Sequence, residues 1–174
     1  QLAAHLEREL RPLYVVYGDE PLLVIEAADA IRARARQQGY SEREVLTVLP
    51  HFDWSQLLAA GGNMSLFGDR KLIDLRIPTG KPGREGSAAI QDYCAHPSPD
   101  ATLLVTLPGL DWTEEKAAWL KALSEAGVAI KGVAGFDRST PVDGPTYMET
   151  TEGGRKLRRG VRLVRGERRD VGVA

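Results

Sequence analysis

The sequence has few of the residues that build metal centres and disulfide frameworks. Among 174 residues there is one cysteine, Cys94, and there are three histidines, at positions 5, 51 and 96. A single cysteine cannot form an internal disulfide, which favours a reducing compartment. Because the histidines share no helical or turn spacing with one another or with Cys94, we expect no metal site.

Long apolar runs are also missing. No stretch approaches the ~18 consecutive apolar residues of a membrane span, and no basic-then-apolar leader with a small-residue cleavage site is evident. We therefore expect a cytoplasmic protein with no membrane partner. With 43% hydrophobic and 27% charged residues, the chain has the composition of a globular domain with a substantial core.

The chemistry of a nucleotide site is absent from the places where it would be expected. A P-loop needs G-x-x-x-x-G-K-[ST], whose glycines wrap the phosphates and whose lysine and hydroxyl contact phosphate and magnesium. Counted from Gly18, the last three positions are Leu23-Val24-Ile25. Counted to Gly80-Lys81, Pro82 takes the hydroxyl position and Leu75 takes the place of the first glycine. We expect no bound nucleotide and no other cofactor.

No other catalytic set is present in the sequence. There is no G-x-S-x-G motif, and no histidine stands beside a usable cysteine or serine. The adjacent acids Asp19-Glu20 and Glu114-Glu115 suit helix starts better than acid–base chemistry. We expect no catalytic residue.

What the chain does contain is an alternation of helical and strand-like segments. The pattern predicts strands at 13–17, 44–49, 71–77, 101–107 and 128–130, and helices at 1–10, 21–38, 53–60, 87–95 and 114–126. Asp53 and Thr113 are predicted N-caps, and Pro21 is a predicted first helical residue. Strands that alternate with helices in this way predict an α/β fold with a mostly parallel sheet and helices on both faces.

One connection carries large apolar side chains. Between the helix that starts at Asp53 and the strand that starts at Lys71 stands Met64-Ser65-Leu66-Phe67, here called the plug, flanked by glycines. Connections normally lie at the surface, so these side chains could anchor a partner. The alternative is that Leu66 and Phe67 fold back onto the protein's own core.

The last part of the sequence differs from the rest. Residues 1–130 contain 13 Lys and Arg against 18 Asp and Glu, whereas residues 131–174 contain 10 against 6. We place a boundary at residue 130 and interpret 131–174 as a Gly/Arg-rich tail, solvated or partly ordered, in which Gly160–Arg165 could form an edge strand. Alternatively, its basic stretch contacts a phosphate backbone.

Several motifs together resemble a known family. The turn Gly18-Asp19-Glu20-Pro21-Leu22-Leu23, the pair Asp53-Trp54, the plug with the following Arg70, and the segments Thr102–Val105 and Lys116–Leu123 resemble, in order, the N-terminal domain of the delta subunit family of bacterial DNA polymerase III. The resemblance covers residues 1 to about 130. It stops before the tail, which indicates a reading-frame change or an unrelated appended segment.

The resemblance implies an AAA+-like (P-loop NTPase-like) domain with a degenerate nucleotide site. It implies a clamp-loader subunit without ATPase activity, an accessory subunit of the DNA-directed DNA polymerase III holoenzyme (a nucleotidyltransferase) in DNA replication. Met64, Leu66 and Phe67 match the family's positions for binding the beta sliding clamp and favouring an opened ring. In the full-length protein the further partners are the gamma/tau and delta prime subunits, with DNA contacted indirectly.

Two other functional classes remain open at this stage. One is a nucleic-acid-binding protein that uses the basic tail, for which salt-dependent DNA affinity lost on removal of residues 151–174 would be the evidence. The other is a nucleotide-dependent enzyme with an unusual phosphate site, against which an unchanged melting temperature in millimolar ATP would argue.

Overall fold

The structure is a computed structural model that describes residues 2–63, 69–134, 146–152, 155–157, 161–164 and 167–170. After Gly132 only the backbone and its strand pairing are described. The predicted plug residues Met64, Leu66 and Phe67 lie outside the described residues.

Helices and strands alternate along the first 134 residues. The order is α1 (Leu2–Leu6), β1 (Leu13–Gly18), α2 (Pro21–Gln37), β2 (Tyr40–Thr47), α3 (Ser55–Gly62), β3 (Arg70–Arg76), α4 (Gly83–Ala95), β4 (Ala101–Thr106), α5 (Trp112–Glu115), α6 (Ala118–Ala126) and β5 (Val128–Ala134). The five predicted strands are all present, and α2 begins at Pro21 as predicted, since the fixed φ of proline suits the first helical turn.

These five strands form one parallel array in the order β2-β3-β4-β1-β5. Strand β1 lies between β4 and β5, and it pairs with β4 through Leu13 and Leu103 and with β5 through Tyr14 and Val128. The prediction of a mostly parallel α/β sheet is confirmed.

The strands after residue 134 pair differently. Strand β6 (Thr146–Glu152) pairs antiparallel with β5, and β7 (Arg155–Leu157) pairs antiparallel with β6. Strands β8 (Val161–Val164) and β9 (Glu167–Asp170) form a separate two-stranded sheet. The strand expected at Gly160–Arg165 therefore exists, but in the described residues its pairing partner is β9 and not the edge of the main sheet.

Two hydrophobic cores cover the two faces of the sheet. On one face α3, α4 and α6 pack against β1, β3 and β4, with Leu57, Ile90 and Leu123 fully buried. On the other face α1 and α2 pack against side chains that include Tyr14 and Leu104. The predicted arrangement of helices on both faces is confirmed.

The predicted helix over residues 114–126 is wrong in its start and its continuity. Asp111, not Thr113, caps α5, because its carboxylate accepts hydrogen bonds from the backbone N–H groups of Thr113 and Glu114. Ala117 is extended (φ −64°, ψ 146°) and separates α5 from α6. Backbone extension at one residue is enough to interrupt a helix that composition alone would continue.

Two further helix predictions change in detail. The stripe of Leu2, Leu6 and Leu10 is buried as expected, but α1 ends at Leu6 instead of reaching Leu10. The predicted apolar side of α2 is not wholly inside, because Leu22 and Ile25 are 59% and 55% exposed. These two side chains lie near the start of α2, at the carboxyl end of β1.

Candidate functional site

The predicted plug is bracketed by two described segments. Helix α3 ends at Gly62 with Asn63 as its C-cap, and the chain is next described at Asp69, one residue before β3 begins at Arg70. Strand β3 starts beside the starts of its neighbours, since Arg70 pairs with Tyr40 of β2 and Lys71 with Ala101 of β4. Both brackets therefore belong to the amino edge of the parallel sheet.

The end of α3 is held against the core by a close contact. Leu57 and Ala60 of α3 are buried, and Gly61 lies so near the ring of Tyr93 on α4 that a Cβ at this position would be 2.5 Å from Tyr93 Cε2. Tyr93 is itself buried, and desolvation by burial raises its pKa to about 12. Position 61 therefore favours glycine, because a side chain there would overlap the Tyr93 ring of α4. Asn63 completes the last turn by donating its N–H to Ala59 O at 2.9 Å.

The start of β3 is held by polar contacts to two other elements. Ser41 Oγ donates to Asp69 Oδ2 at 2.8 Å, and Arg70 Nη1 donates to Glu9 Oε1 at 3.0 Å. The Arg70 guanidinium also lies over the Tyr40 ring, 5.9 Å from its centroid. The hydrogen bond to Glu9 is the main reason that the pKa of Arg70 is raised. Each bracket is therefore in contact with neighbouring elements of the fold.

The opposite edge of the sheet carries the turn where a phosphate loop would lie. Gly18 has φ +147°, and its N–H donates to Pro108 O at 3.4 Å. A Cβ on Gly18 would overlap the backbone of Gly132, so the turn packs against β5. The Gly18 N–H is therefore already bonded within the protein and is not a free donor for a phosphate.

The side chains at the P-loop positions are also unsuited to binding a nucleotide. Leu23, at the second glycine position, is 2% exposed in the core. Ile25, at the hydroxyl position, is an exposed apolar side chain. Neither side chain can bind magnesium or phosphate, which is consistent with the absence of a nucleotide expected from the sequence.

Three of the acids singled out in the sequence, Asp53, Glu114 and Glu115, have structural contacts. Glu114 Oε2 accepts a hydrogen bond from Trp119 Nε1 at 3.1 Å, and Glu115 pairs with Lys131 of β5 at 2.5 Å. Asp53 accepts from the N–H of Ser55 at 3.0 Å beside the start of α3. Hydrogen bonds from Ser55 lower the pKa of Asp53.

A cluster that sequence inspection missed lies on the face covered by α2. Asp74, in the middle of β3, is fully buried and accepts hydrogen bonds from Arg32 of α2, Arg43 of β2 and Arg76 of β3. Burial opposes ionisation of Asp74, but hydrogen bonds from Arg32 and Arg43 outweigh it and lower the pKa. An aspartate inside the apolar run Leu72-Ile73-Asp74-Leu75 was the only sequence signal of this cluster.

Neither a metal cluster nor a membrane-spanning helix is found where the structure describes the chain. No group of three or more His, Cys, Asp or Glu side chains there could hold a metal ion. The helices of the same residues are each too short or too polar to cross a bilayer. Of the histidines, His5 lies 3.1 Å from the hydroxyl of Tyr14, and His96 lies at the surface beside Asp92.

Comparison with known proteins agrees with the resemblance seen in the sequence. Residues 14–131 match the family model described as DNA polymerase III, delta subunit. The chain is 32% identical over 130 residues to DNA polymerase III subunit delta of Escherichia coli (strain K12), covering 75% of this chain and 38% of the relative. Over 78 residues it is 33% identical to the subunit of the same name from Haemophilus influenzae, covering 45% of this chain and 23% of that relative. The chain thus spans less than two fifths of the length of these curated relatives, and it belongs to the DNA polymerase III delta subunit family.

Proposed function

We propose that this chain is the clamp-binding part of a clamp-loader subunit in DNA replication, and that it attaches to the beta sliding clamp through Met64, Leu66 and Phe67. The observation that carries the proposal is the family match, which runs from residue 14 to residue 131 and includes the plug. The chain acts as an accessory subunit of DNA polymerase III and performs no catalysis of its own.

The described geometry supports an anchoring role for the plug. Large apolar side chains contribute roughly 1.5 to 3 kcal/mol each when they are buried in a partner's pocket. Part of that gain is normally lost in ordering the binding segment. Here Gly61 packs on Tyr93 at one bracket and Asp69 bonds Ser41 at the other, so the ends of the segment are already placed. Fixed ends reduce the entropy that binding must overcome.

Ring opening follows from differential affinity. A domain that binds the open clamp interface more tightly than the closed one shifts the ring toward the open form without hydrolysing ATP. The turn at Gly18 and the buried Leu23 support a domain that does not use nucleotide for this step. Within a complete loader we expect the gamma/tau and delta prime subunits as partners and DNA as an indirect one.

The proposal applies to residues 1–130, and residues 131–174 are proposed to lie outside the clamp-binding domain. Supporting this division, the family match ends at residue 131. A frame change or an appended segment after Ile130 would give this pattern. Sequencing of the intact gene across the Ile130 codon tests it: a tail that is encoded in frame in the natural gene would contradict that origin.

The experiment is calorimetric titration of the chain into the beta clamp, with Leu66→Ala and Phe67→Ala variants. Each variant should lose about 2 kcal/mol or more of binding free energy if its side chain is an interface anchor. The matched control is Leu49→Ala, which truncates a leucine that is 62% exposed after the carboxyl end of β2. Equal affinities for all four proteins would overturn the proposal, as would variants that unfold, because Leu66 and Phe67 would then belong to the core.

A further inference from the structure

One part of the sheet is left open on the α2 side. Strand β2 is the edge of the sheet, and its Arg43, Val45 and Thr47 share a face with Leu72, Asp74 and Arg76 of β3, to which they are paired in register. Leu72 belongs to the core beneath α1 and α2. Val45, which follows Arg43 on this face of β2 and pairs with Asp74, is 45% exposed. Among the described residues, the helix layer therefore leaves this face partly exposed at Val45 of β2 and Arg76 of β3.

A groove runs along the boundary between α2 and this open surface. Its volume is about 360 Å³, and it lies between α2 and the carboxyl ends of β3 and β4. The apolar lining comes from both sides, with Val24, Ile25, Ile77 and Leu107 among its residues. Because Ile25 is 55% exposed, apolar surface is available to a side chain that enters from outside.

The same groove is bordered by an excess of positive charge. Arg32 and Arg76 line it, and Arg43 lies beside them on β2. Arg32 bonds both oxygens of Asp74, at 2.9 Å and 3.2 Å, while Arg43 and Arg76 reach Oδ2 alone, at 2.5 Å and 3.4 Å. The Asp74 carboxylate thus pairs with three guanidinium groups. Among the described residues, the other acid bonded to this cluster is Asp29, which pairs with Arg32.

Two of the three guanidinium groups keep unused capacity. The side chains of Arg43 and Arg76 are 38% and 43% exposed. Guanidinium groups bind carboxylates through their N–H donors, so a carboxylate arriving at the exposed parts of Arg43 and Arg76 would pair with them and reduce their mutual repulsion.

We propose that the α2 groove, defined by Ile25, Arg32, Arg43, Arg76 and Leu107, docks an acidic apolar segment of a partner protein. A large aliphatic or aromatic side chain of that segment enters the groove, and an Asp or Glu three or four residues away pairs with Arg43 and Arg76. That spacing places both side chains on one face of a helix, which is how amphipathic helices bind apolar grooves.

This surface is separate from the two described brackets of the plug. The groove lies toward the carboxyl ends of β3 and β4, whereas the brackets of the plug lie at the amino edge of the sheet. Charge complementarity and exposed apolar surface suit the groove to this partner whether or not the chain binds the clamp.

The test uses phage-displayed random twelve-residue peptides selected against the full chain, with counter-selection on an Arg43→Gln, Arg76→Gln double variant. Arg32 still bonds both oxygens of Asp74 in that variant, so the buried carboxylate keeps a partner. We expect enriched peptides with an acid three or four residues from a large apolar residue. A synthetic peptide of that consensus should bind the double variant at least tenfold more weakly in fluorescence anisotropy.

Three controls separate the outcomes. Arg84→Gln, which removes an exposed arginine of α4 on the other face of the sheet, should leave peptide affinity within twofold, and so should a Leu66→Ala, Phe67→Ala variant. Loss of binding in the plug variant would place the peptide at the plug and overturn the proposal. Enrichment without acids, or equal binding to the double variant, would also overturn it. Saturable binding of phenyl phosphate, with no peptide enriched, would reassign the groove to small organic anions.

Discussion

The guanidinium of Arg32 on α2 bonds both carboxylate oxygens of Asp74 on β3, with Nε–Oδ2 at 2.9 Å and Nη2–Oδ1 at 3.2 Å. This contact joins the helix that follows the Gly18 turn to the strand that follows the plug, across 42 positions of sequence. Asp74 is fully buried, and the Arg32 side chain is 13% exposed. Folding therefore brings a desolvated charge pair to the face of the sheet that holds the α2 groove.

Replacing Asp74 should destabilise the fold. The Asp74→Ala variant leaves the nearly buried Arg32 without its buried carboxylate partner and with the exposed Asp29 still bonded, and breaking a buried pair costs about 3 kcal/mol. Urea unfolding followed by circular dichroism measures the change. The control is Asp29→Ala. The Asp29 side chain is 65% exposed, so its removal should lower the free energy of unfolding by less than about 1 kcal/mol. Equal losses of unfolding free energy in the two variants would mean that burial of the Arg32–Asp74 pair is not what stabilises this face of the sheet.

The stabilisation from Asp74 should depend on pH with a defined sign. Because the folded-state pKa of Asp74 is lowered, ionised Asp74 stabilises the folded state at pH values above its unfolded pKa of about 3.9. That contribution is lost as the pH falls through the folded-state pKa. The difference in unfolding free energy between the parent chain and Asp74→Asn should be constant from pH 5 to 7 and shrink below pH 4. A difference that grows on acidification would contradict the assignment.

Two neighbouring glycines of α3 offer a matched pair of substitutions. Gly61→Ala puts a Cβ against the buried ring of Tyr93, and overpacking of this kind costs about 1 to 3 kcal/mol. Gly62→Ala meets nothing within 4 Å and should be neutral or slightly stabilising, since alanine favours helix. Thermal unfolding of both variants measures the effects. If Gly62→Ala were the more damaging of the two, the contact between α3 and α4 would not be what holds this bracket.

Addition of nucleotide should leave the stability unchanged. Leu23, Val24 and Ile25 provide neither a lysine nor a hydroxyl, and the Gly18 N–H is bonded to Pro108. Differential scanning fluorimetry with 2 mM Mg-ATP, a concentration of roughly physiological magnitude, should show no shift in melting temperature, because only binding to the folded state stabilises it. A reproducible rise that ADP and ATP share, and that inorganic phosphate does not produce, would show that a nucleotide site exists.

The parallel sheet could be predicted because its strands are short apolar runs with strong β propensity. Leu13–Val16 and Leu103–Val105 are buried on both faces, so their sequences carry few polar residues that could suggest another structure. Pro21 predicted the start of α2 because the fixed φ of proline suits the first helical turn. Signals of this kind arise within a few residues and are visible in one sequence.

The Asp74 cluster could not be predicted, because its members become neighbours only when β2, β3 and α2 are assembled. Arg43 and Asp74 are 31 positions apart, and nothing local distinguishes Arg43 from the other arginines of the chain. The break between α5 and α6 was missed for a similar reason. Residues 114–126 read as one helix, whereas Trp119 is buried in the core and Glu114 bonds its indole from the preceding turn.

The measurement that tests the central claim most directly is hydrogen–deuterium exchange of the chain with and without the beta clamp. If the plug is the anchor, the clamp should slow exchange in peptides that cover residues 61–71 and leave peptides around Ile25 and Leu49 unchanged. Protection confined to residues 18–25, with none across 61–71, would contradict the account and place the clamp at the opposite edge of the sheet.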